Sequence, residues 1–171
     1  MPELKDYRIR AATAADVRPA LEMKLIAWKE SYAEFRGADF FTFHERQIDA
    51  QVAWWERGLA SGAQFFIAQD PAGRIIGLAG GTPVVEEDQD AGVDIELGML
   101  YILAEYYGTG LGAHLLQVVL NQRPALVWVL QGNQRAITFY RKHGFELDGT
   151  SEELTGSWDG LRELRMVRRN G

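Results

Sequence analysis

The chain has 171 residues, of which 47% are apolar and 25% charged, with a formal net charge of −6 and no cysteine. That composition is typical of a globular domain, and the length suits a single domain over 1–171. The acidic balance disfavours nonspecific binding to nucleic acid or to an anionic membrane, and the missing cysteine excludes a disulfide framework, a thiolate nucleophile and a cysteine-ligated metal.

Met1 to Asp6 has no apolar core of the secretory type, and no run approaches the roughly 18 apolar residues of a membrane span. A cytoplasmic location is therefore expected. Tyr7 to Ala11 alternates and predicts a first strand. Val17, Leu21, Leu25, Trp28, Tyr32 and Phe35 recur at steps of three and four and predict a helix. Asp16 is its expected N-cap, Pro19 sits in its first turn and Gly37 ends it. A second helix is expected over roughly 44–60, with Ile48, Val52 and Trp55 on one face and Gly62 past its end.

The period then changes. Gln64 to Ala68 reads as a strand, Asp70-Pro71-Ala72-Gly73 as a turn, and Arg74 to Val85 as the second arm of a hairpin. Gly80-Gly81 marks a bulge or a close approach. Glu86 to Gly92 is acidic and reads as a solvated hairpin tip; the alternative is a charge that steers a cationic amine. Val93 to Leu103 is a long strand that alternates up to Leu97 and is continuously apolar from Met99. Such a change predicts burial on both faces or a bulge that shifts the register. Leu111 to Leu120 is helical, Ala125 to Leu130 is a doubly buried strand, and Asn133 to His143 is a helix closed by Gly144. Phe145 to Leu147 and Leu161 to Val167 close the chain as strands. The order β-α-α-β-β-β-α-β-α-β-β is an α/β fold, a mixed sheet with helices on both faces.

Tyr107-Gly108-Thr109-Gly110-Leu111-Gly112 joins a buried strand to an amphipathic helix. Glycines there let the backbone take unusual φ values and let a ligand approach the main chain. The unpaired N–H groups of the first helical turn then converge, with the positive end of the helix dipole behind them, on a site suited to phosphate or pyrophosphate. A turn that needs glycine only for packing is the alternative. The chain has no G-x-x-x-x-G-K-[ST] and no G-x-G-x-x-G on a first βαβ unit, which excludes a P-loop and disfavours a dinucleotide site.

At these residues the chain resembles the GNAT superfamily of acyl-CoA-dependent N-acetyltransferases. The family loop is [Q/R]-x-x-G-x-[G/A], and positions 107–112 fit it except at Tyr107, which stands in place of Gln or Arg. Asn133, Ala136, Tyr140 and Gly144-Phe145 match a second family stretch, and Leu97 to Leu103, followed by Ala104 and Glu105, is similar to the strand that enters the loop. The resemblance implies a central sheet splayed between its fourth and fifth strands. It also implies direct transfer of an acetyl group from acetyl-CoA to a primary amine, on a small molecule or an exposed protein amine.

On that resemblance each chemical requirement falls to particular residues. The amides of Gly108, Thr109, Gly110, Leu111 and Gly112, with Tyr107, would hold the pyrophosphate. Ile102 and Leu103 would pair with the pantetheine arm as if it were an added strand. Asn133 and Tyr140, seven residues apart, would share a helix face toward the cofactor. The Tyr140 hydroxyl would act as general acid to the CoA thiolate, although a packed aromatic beside Phe139 explains the same residue. Glu96, eleven residues before Tyr107 and sharing a face with Asp94, is the candidate general base; a half-exposed strand carboxylate is the alternative. Arg135, Arg141 or Lys142 would meet the adenosine 3′-phosphate, or form a solvated helix face. Trp28, Tyr32 and Trp128, with Phe40, Phe41 and Phe43, would shape the acceptor pocket, or simply the core.

His44, His114 and His143 are scattered without an H-E-x-x-H pair, so no metal is expected, and no G-x-S-x-G elbow exists. Neither nucleic acid nor membrane is an expected partner, and the terminal strand leaves room for a homodimer. A noncatalytic acyl-CoA-binding sensor on the same fold, and an interaction module whose glycine loop is only a turn, remain as alternatives.

Overall fold

The computed structural model describes residues 6–170, so most of the N-terminal segment Met1 to Asp6 lies outside the described residues. Seven strands form one mixed sheet, β1 (Arg8–Ala11), β2 (Phe66–Gln69), β3 (Ile75–Pro83), β4 (Ile95–Ile102), β5 (Ala125–Leu130), β6 (Glu146–Glu153) and β7 (Arg162–Arg168). Their order is β1-β2-β3-β4-β5-β7-β6. The helices are α1 (Val17–Tyr32), α2 (Ala38–Arg46), α3 (Ile48–Ala60), α4 (Leu111–Leu120) and α5 (Gln134–Lys142). Among the described residues no helix is long and apolar enough to cross a membrane. The chain divides into two compact units, Met1–Gly80 with Met99–Val118, and Gly81–Gly98 with Val119–Gly171.

In the first unit, β1 and β2 pair antiparallel from Arg8↔Gln69 to Ala11↔Phe66, and β2 continues onto β3 with a bulge between Ala68 and Gln69. The Asp70 to Gly73 turn forms as its residues dictate. Asp70 Oδ1 accepts the amides of Ala72 and Arg74, and Gly73 takes φ 87°. Asp16 holds the N-cap position of α1, as expected, but its side chain makes no cap bond to that helix. Asp16 closes a 3-10 turn over Ala14–Asp16, and its carboxylate reaches back to the Thr13 amide at 2.7 Å and to the Arg10 guanidinium at 2.7 and 2.9 Å. Thr13 is therefore the residue that opens the turn, and Asp16 is its reciprocal partner in a capping box.

The expected helix over 44–60 is two helices. They meet at Gln47, and α2 begins six residues earlier than expected, at Ala38. The run Phe40-Phe41-Thr42-Phe43 obscures a helical spacing. Phe40, Phe41 and His44 turn inward, and Phe40 and His44 pack on Trp28 with ring centroids 6.1 and 5.2 Å away. Gly80 is the close approach that the sequence suggests. A Cβ there would lie 2.9 Å from Met99 Cε and 3.3 Å from Phe65 Cβ. Gly77 is a second such point, against Leu115 of α4 at 3.0 Å.

In the second unit β5 is buried except at Trp128 and pairs antiparallel with β7 over its whole length, from Ala125↔Arg168 to Leu130↔Glu163. β4 meets β5 in parallel through the bridge Glu96↔Leu126. The expectation that Met99 to Leu103 is buried on both faces fails for Met99 to Ile102. These residues are only half-buried. β6 is longer than expected and runs to Glu153 past an irregularity between Leu147 and Ser151.

The acidic segment also differs. Glu86–Ala91 is a 3-10 turn, and Asp88 is 6% exposed rather than solvated. Its partner is Arg165, which is 2% exposed. The guanidinium donates to Asp88 at 3.0 Å, to Asp90 at 2.8 and 2.9 Å, to Asp148 at 2.7 Å and to Thr150 at 3.1 Å. These donors and acceptors satisfy one another inside the fold, so the buried charge is tolerated. Replacing Arg165 by Met should leave Asp88 buried without its cation. A loss of about 3–5 kcal/mol in urea unfolding is expected, the cost of removing one partner of a buried pair.

Candidate active site

The glycine loop belongs to the first unit. Leu103 ends the strand with both backbone groups engaged. Its N–H donates to Ile76 O at 3.0 Å, and its carbonyl accepts Tyr106 N–H at 2.9 Å. The Leu103 N–H is thus already engaged, and only the second lone pair of its carbonyl is left for an added strand. By the alternation of a strand, Ile102 turns its N–H and C=O to the edge away from Ile76. The Ala104 amide donates to the Glu30 carboxylate, and the Tyr107 hydroxyl lies 3.3 Å from Ser31 Oγ. Both contacts tie the loop to the end of α1. They also give a physical account of Tyr107: its side chain is turned to α1.

Gly108 and Gly110 take φ of 74° and 88°, which a side chain would strain. The loop amides divide into two sets. Thr109 donates to Tyr106 O at 3.3 Å, and Leu111 points at Thr109 Oγ1 at 3.4 Å. Those two are capped internally, against the expectation that all five converge on a ligand. The amides of Gly108, Gly110, Gly112 and Ala113 have no acceptor among the described residues. Unsatisfied N–H groups are therefore present both in the loop and in the first turn of α4.

The aromatic residues assigned to an acceptor pocket are mostly packed. Trp28 is 8% exposed and contacts Tyr32, Phe40, His44 and Tyr101 at centroid distances between 5.2 and 6.2 Å. Lys24 Nζ lies 4.5 Å from the Trp28 ring and 5.4 Å from that of Trp55. Burial there pulls its ammonium down to about 8. Tyr32 is half-buried and Phe43 is exposed.

In the second unit Asn133 is the N-cap of α5. Its Oδ1 accepts the Ala136 amide at 3.3 Å, so it sits at the helix entrance, seven residues before Tyr140. Tyr140 is 7% exposed, with its ring against Phe139 at 5.2 Å and Phe145 at 5.5 Å. Arg135, Arg141 and Lys142 are exposed.

Strand register assigns the remaining residues to a face. Directly paired residues share a face, as do residues two apart along a strand. Glu96 lies opposite Leu126, Arg165 opposite Trp128, Glu163 opposite Leu130, and Glu152 opposite Glu163. All of these share one face of the sheet with Trp128, whose Nε1 donates to Asp88 at 3.1 Å. Tyr140 belongs to the other face. It packs on Phe145, which lies 5.1 Å from the Arg168 guanidinium, and Arg168 is opposite Ala125. The expected acid and the expected base therefore occupy opposite faces of β5.

Glu96 and Glu163 are both perturbed. Burial pushes the Glu96 carboxyl up, and Asp88 and Glu152 push it the same way. Glu163 is raised to about 7, by burial first and then by Glu152, Glu96 and Asp88. Among the described residues Glu96, Glu152 and Glu163 have no hydrogen-bond or ion-pair partner, while Arg165 is engaged by Asp88, Asp90 and Asp148. Sequence reasoning missed Glu163 and Glu152. Their alternation is that of any half-exposed strand, and only the register brings them to the face of Glu96.

A family model described as "Acetyltransferase (GNAT) domain" matches residues 61–147. An uncharacterised N-acetyltransferase of Bacillus subtilis, YuaI, is 26% identical over 93% of this chain and 96% of its own length. An uncharacterised N-acetyltransferase of Mycobacterium tuberculosis, Rv2669, is 42% identical over 84 residues, 46% of this chain. That match spans only 50% of Rv2669, about half the length of the curated relative. Among solved structures, the PaiA N-acetyltransferase of Thermoplasma acidophilum in complex with coenzyme A shares the fold. Its TM-score is 0.66 at 20% identity, over 96% of this chain and 99% of that one.

Glu163 has a measurable signature in stability. A carboxyl whose folded value is raised stabilises the fold below its unfolded value of 4.5, and that stability is lost as pH rises through about 7. Glu163→Gln should therefore match the parent near pH 4. At pH 8 it should be more stable by about 1–2 kcal/mol, an amount already discounted for partial solvent screening, in urea unfolding at the two pH values.

Proposed function

The chain belongs to the GNAT acetyltransferase family, and from that premise we propose that it transfers the acetyl group of acetyl-CoA directly to a primary amine. The acceptor is a small molecule or an exposed protein amine. The observation that carries the reading is the set of unpaired amides at Gly108, Gly110, Gly112 and Ala113, at the start of a ten-residue helix. An N-terminal turn of this kind favours a pyrophosphate.

The remaining roles are assigned to particular groups. Ile102 offers its backbone to the amide-like pantetheine arm. Asn133 holds the entrance of α5 with Oδ1 and keeps its side-chain NH2 to donate. The Tyr140 hydroxyl gives a proton to the departing thiolate. A carboxylate on the Glu96 face accepts the proton that the ammonium must lose before it can attack. Positioning the amine against the thioester contributes further, roughly 7–11 kcal/mol in well-oriented systems. A noncatalytic acyl-CoA-binding role is the second reading. The tight packing of Tyr140 between Phe139 and Phe145 favours it, since packing alone explains such a ring.

Acetyl-CoA at 100 times its dissociation constant should stabilise the chain by about 2.7 kcal/mol, seen as a rise in melting temperature. Gly110→Val forces a side chain into φ 88° and should abolish that rise. Thiol release from acetyl-CoA should appear with at least one member of a panel of alkylamines, diamines, amino-acid amides and peptides. The chain's lack of cysteine keeps that signal clean. Tyr140→Phe should lower turnover by about 100-fold while the acetyl-CoA shift persists. Acetyl-CoA binding with no transfer to any member of the panel would favour the noncatalytic reading, and no shift at all would overturn both.

A further inference from the structure

We propose that Lys24 is an acylation site on this chain: its Nζ takes the acetyl group of a thioester and becomes a neutral amide. The donor chemistry rests on the acetyl-transfer reading, and the inference goes beyond that reading by naming an acceptor within the first unit itself.

Lys24 and Trp28 are four residues apart on α1, so their side chains share a face. Nζ lies 4.5 Å from the centre of the Trp28 ring and 5.4 Å from that of Trp55 on α3. Both rings are held by further aromatics. Trp28 packs on Tyr32, Phe40, His44 and Tyr101, and Trp55 packs on Phe65 at 5.1 Å. The half-buried amine is thus set between two braced indoles. Indole faces attract a cation, but they replace water that would solvate it better.

No carboxylate makes up the difference. Among the described residues Lys24 has neither a hydrogen bond nor an ion pair. Glu45 of α2 is taken by Lys29 and Asp49 of α3 by Arg18, while Glu22 and Glu56 act on Arg18. His44 of α2 also faces Lys24, and its charged form would repel an ammonium. The other lysines are placed differently. Lys29 is exposed and paired with Glu45, Lys142 is exposed at the end of α5, and Lys5 lies outside the described residues.

An amine must be neutral to attack a carbonyl. Desolvation lowers the Lys24 ammonium to about 8. At about pH 7.5 roughly a quarter of Lys24 is then neutral, about 200 times the fraction of an ordinary lysine. A less basic nucleophile is intrinsically slower, as with thiolates, so the gain in rate is smaller than the gain in population.

The step balances as follows. The ammonium gives a proton to solvent. The Nζ lone pair forms the C–N bond to the thioester carbonyl carbon, the C–S bond breaks, and sulfur leaves with its electron pair as a thiolate. Nitrogen loses its second proton to water, and the thiolate takes one from water. The products are the amide, the free thiol and one proton.

The experiment incubates the folded parent with acetyl-CoA and, separately, with S-acetyl-N-acetylcysteamine, a thioester without the nucleotide. Initial acetylation rates at Lys24, Lys29 and Lys142 are read by peptide mass spectrometry from about pH 6.5 to about pH 9.5. With the short thioester at about pH 7.5, Lys24 should react about tenfold or more faster than Lys142. Its rate should level off above about 8, where Nζ is already neutral, while that of Lys142 goes on rising. In urea the two lysines should react alike, because the indoles no longer enclose Nζ. A Lys24 rate no greater than that of Lys142 in the folded parent would overturn the inference. So would an advantage that persists in urea, or a Lys24 rate that climbs with pH as Lys142 does. Gly110→Val identifies the donor: loss of the Lys24 reaction with acetyl-CoA alone assigns it to the loop-bound cofactor, and unchanged rates assign it to thioester in solution, the site being supported in both cases. Absence of an acetyl-CoA shift and of transfer to the amine panel overturns the acetyl-transfer reading, whereas the short thioester reports on Lys24 by itself, so the two failures are read separately.

Discussion

The second unit depends on one guanidinium. Arg165 is almost fully buried and gathers Asp88, Asp90 and Asp148 from two separate segments of the chain. A buried cation is costly unless its donors are matched, and here Nε, Nη1 and Nη2 all donate. The same contacts hold the 86–91 turn over Trp128, whose indole N–H donates to Asp88. On the same face, burial first and then the neighbouring carboxylates raise the proton affinities of Glu96 and Glu163.

The first unit solves a different problem, holding a helix start open. Glycine at 108 and 110 allows φ of 74° and 88°, and the chain enters α4 without using most of its first amides. The loop is braced from outside. Glu30 takes the Ala104 amide, Ser31 meets the Tyr107 hydroxyl, and Arg74 reaches Glu105 at 2.6 Å. Thr109 braces it from inside through Oγ1 to Tyr106 O at 2.6 Å. Bracing by side chains leaves the remaining amides directed outward, which is the preorganisation an anion site needs.

The element order apart from the split of the second helix, the buried β5 and the glycine loop were readable from the residues, because each carries a strong local signal: a continuous apolar run, or glycines at fixed spacing. The readings that failed share a cause, since each depends on a partner distant in sequence. Asp16 stands at the N-cap of α1, but the service of its carboxylate to Arg10 and Thr13 has no local mark. Asp88 looks solvated until Arg165, 77 residues later, is brought to it. Met99 to Ile102 look doubly buried because apolar runs usually are, yet all four are only half-buried. Glu163 lacks any local mark, and only its opposition to Leu130 and Glu152 singles it out. Local pattern thus identified the elements, while charge pairing and strand register had to come from the fold.

The placement of acid and base on opposite faces of β5 has a consequence for the proposed reaction. Tyr140 is packed with Phe145 on the Arg168 side, while Glu96 and Glu163 lie on the Trp128 side, with buried aliphatic residues of β5 between them. A reaction that used both groups would therefore have to meet each from its own side of β5, since the strand's buried residues lie between them.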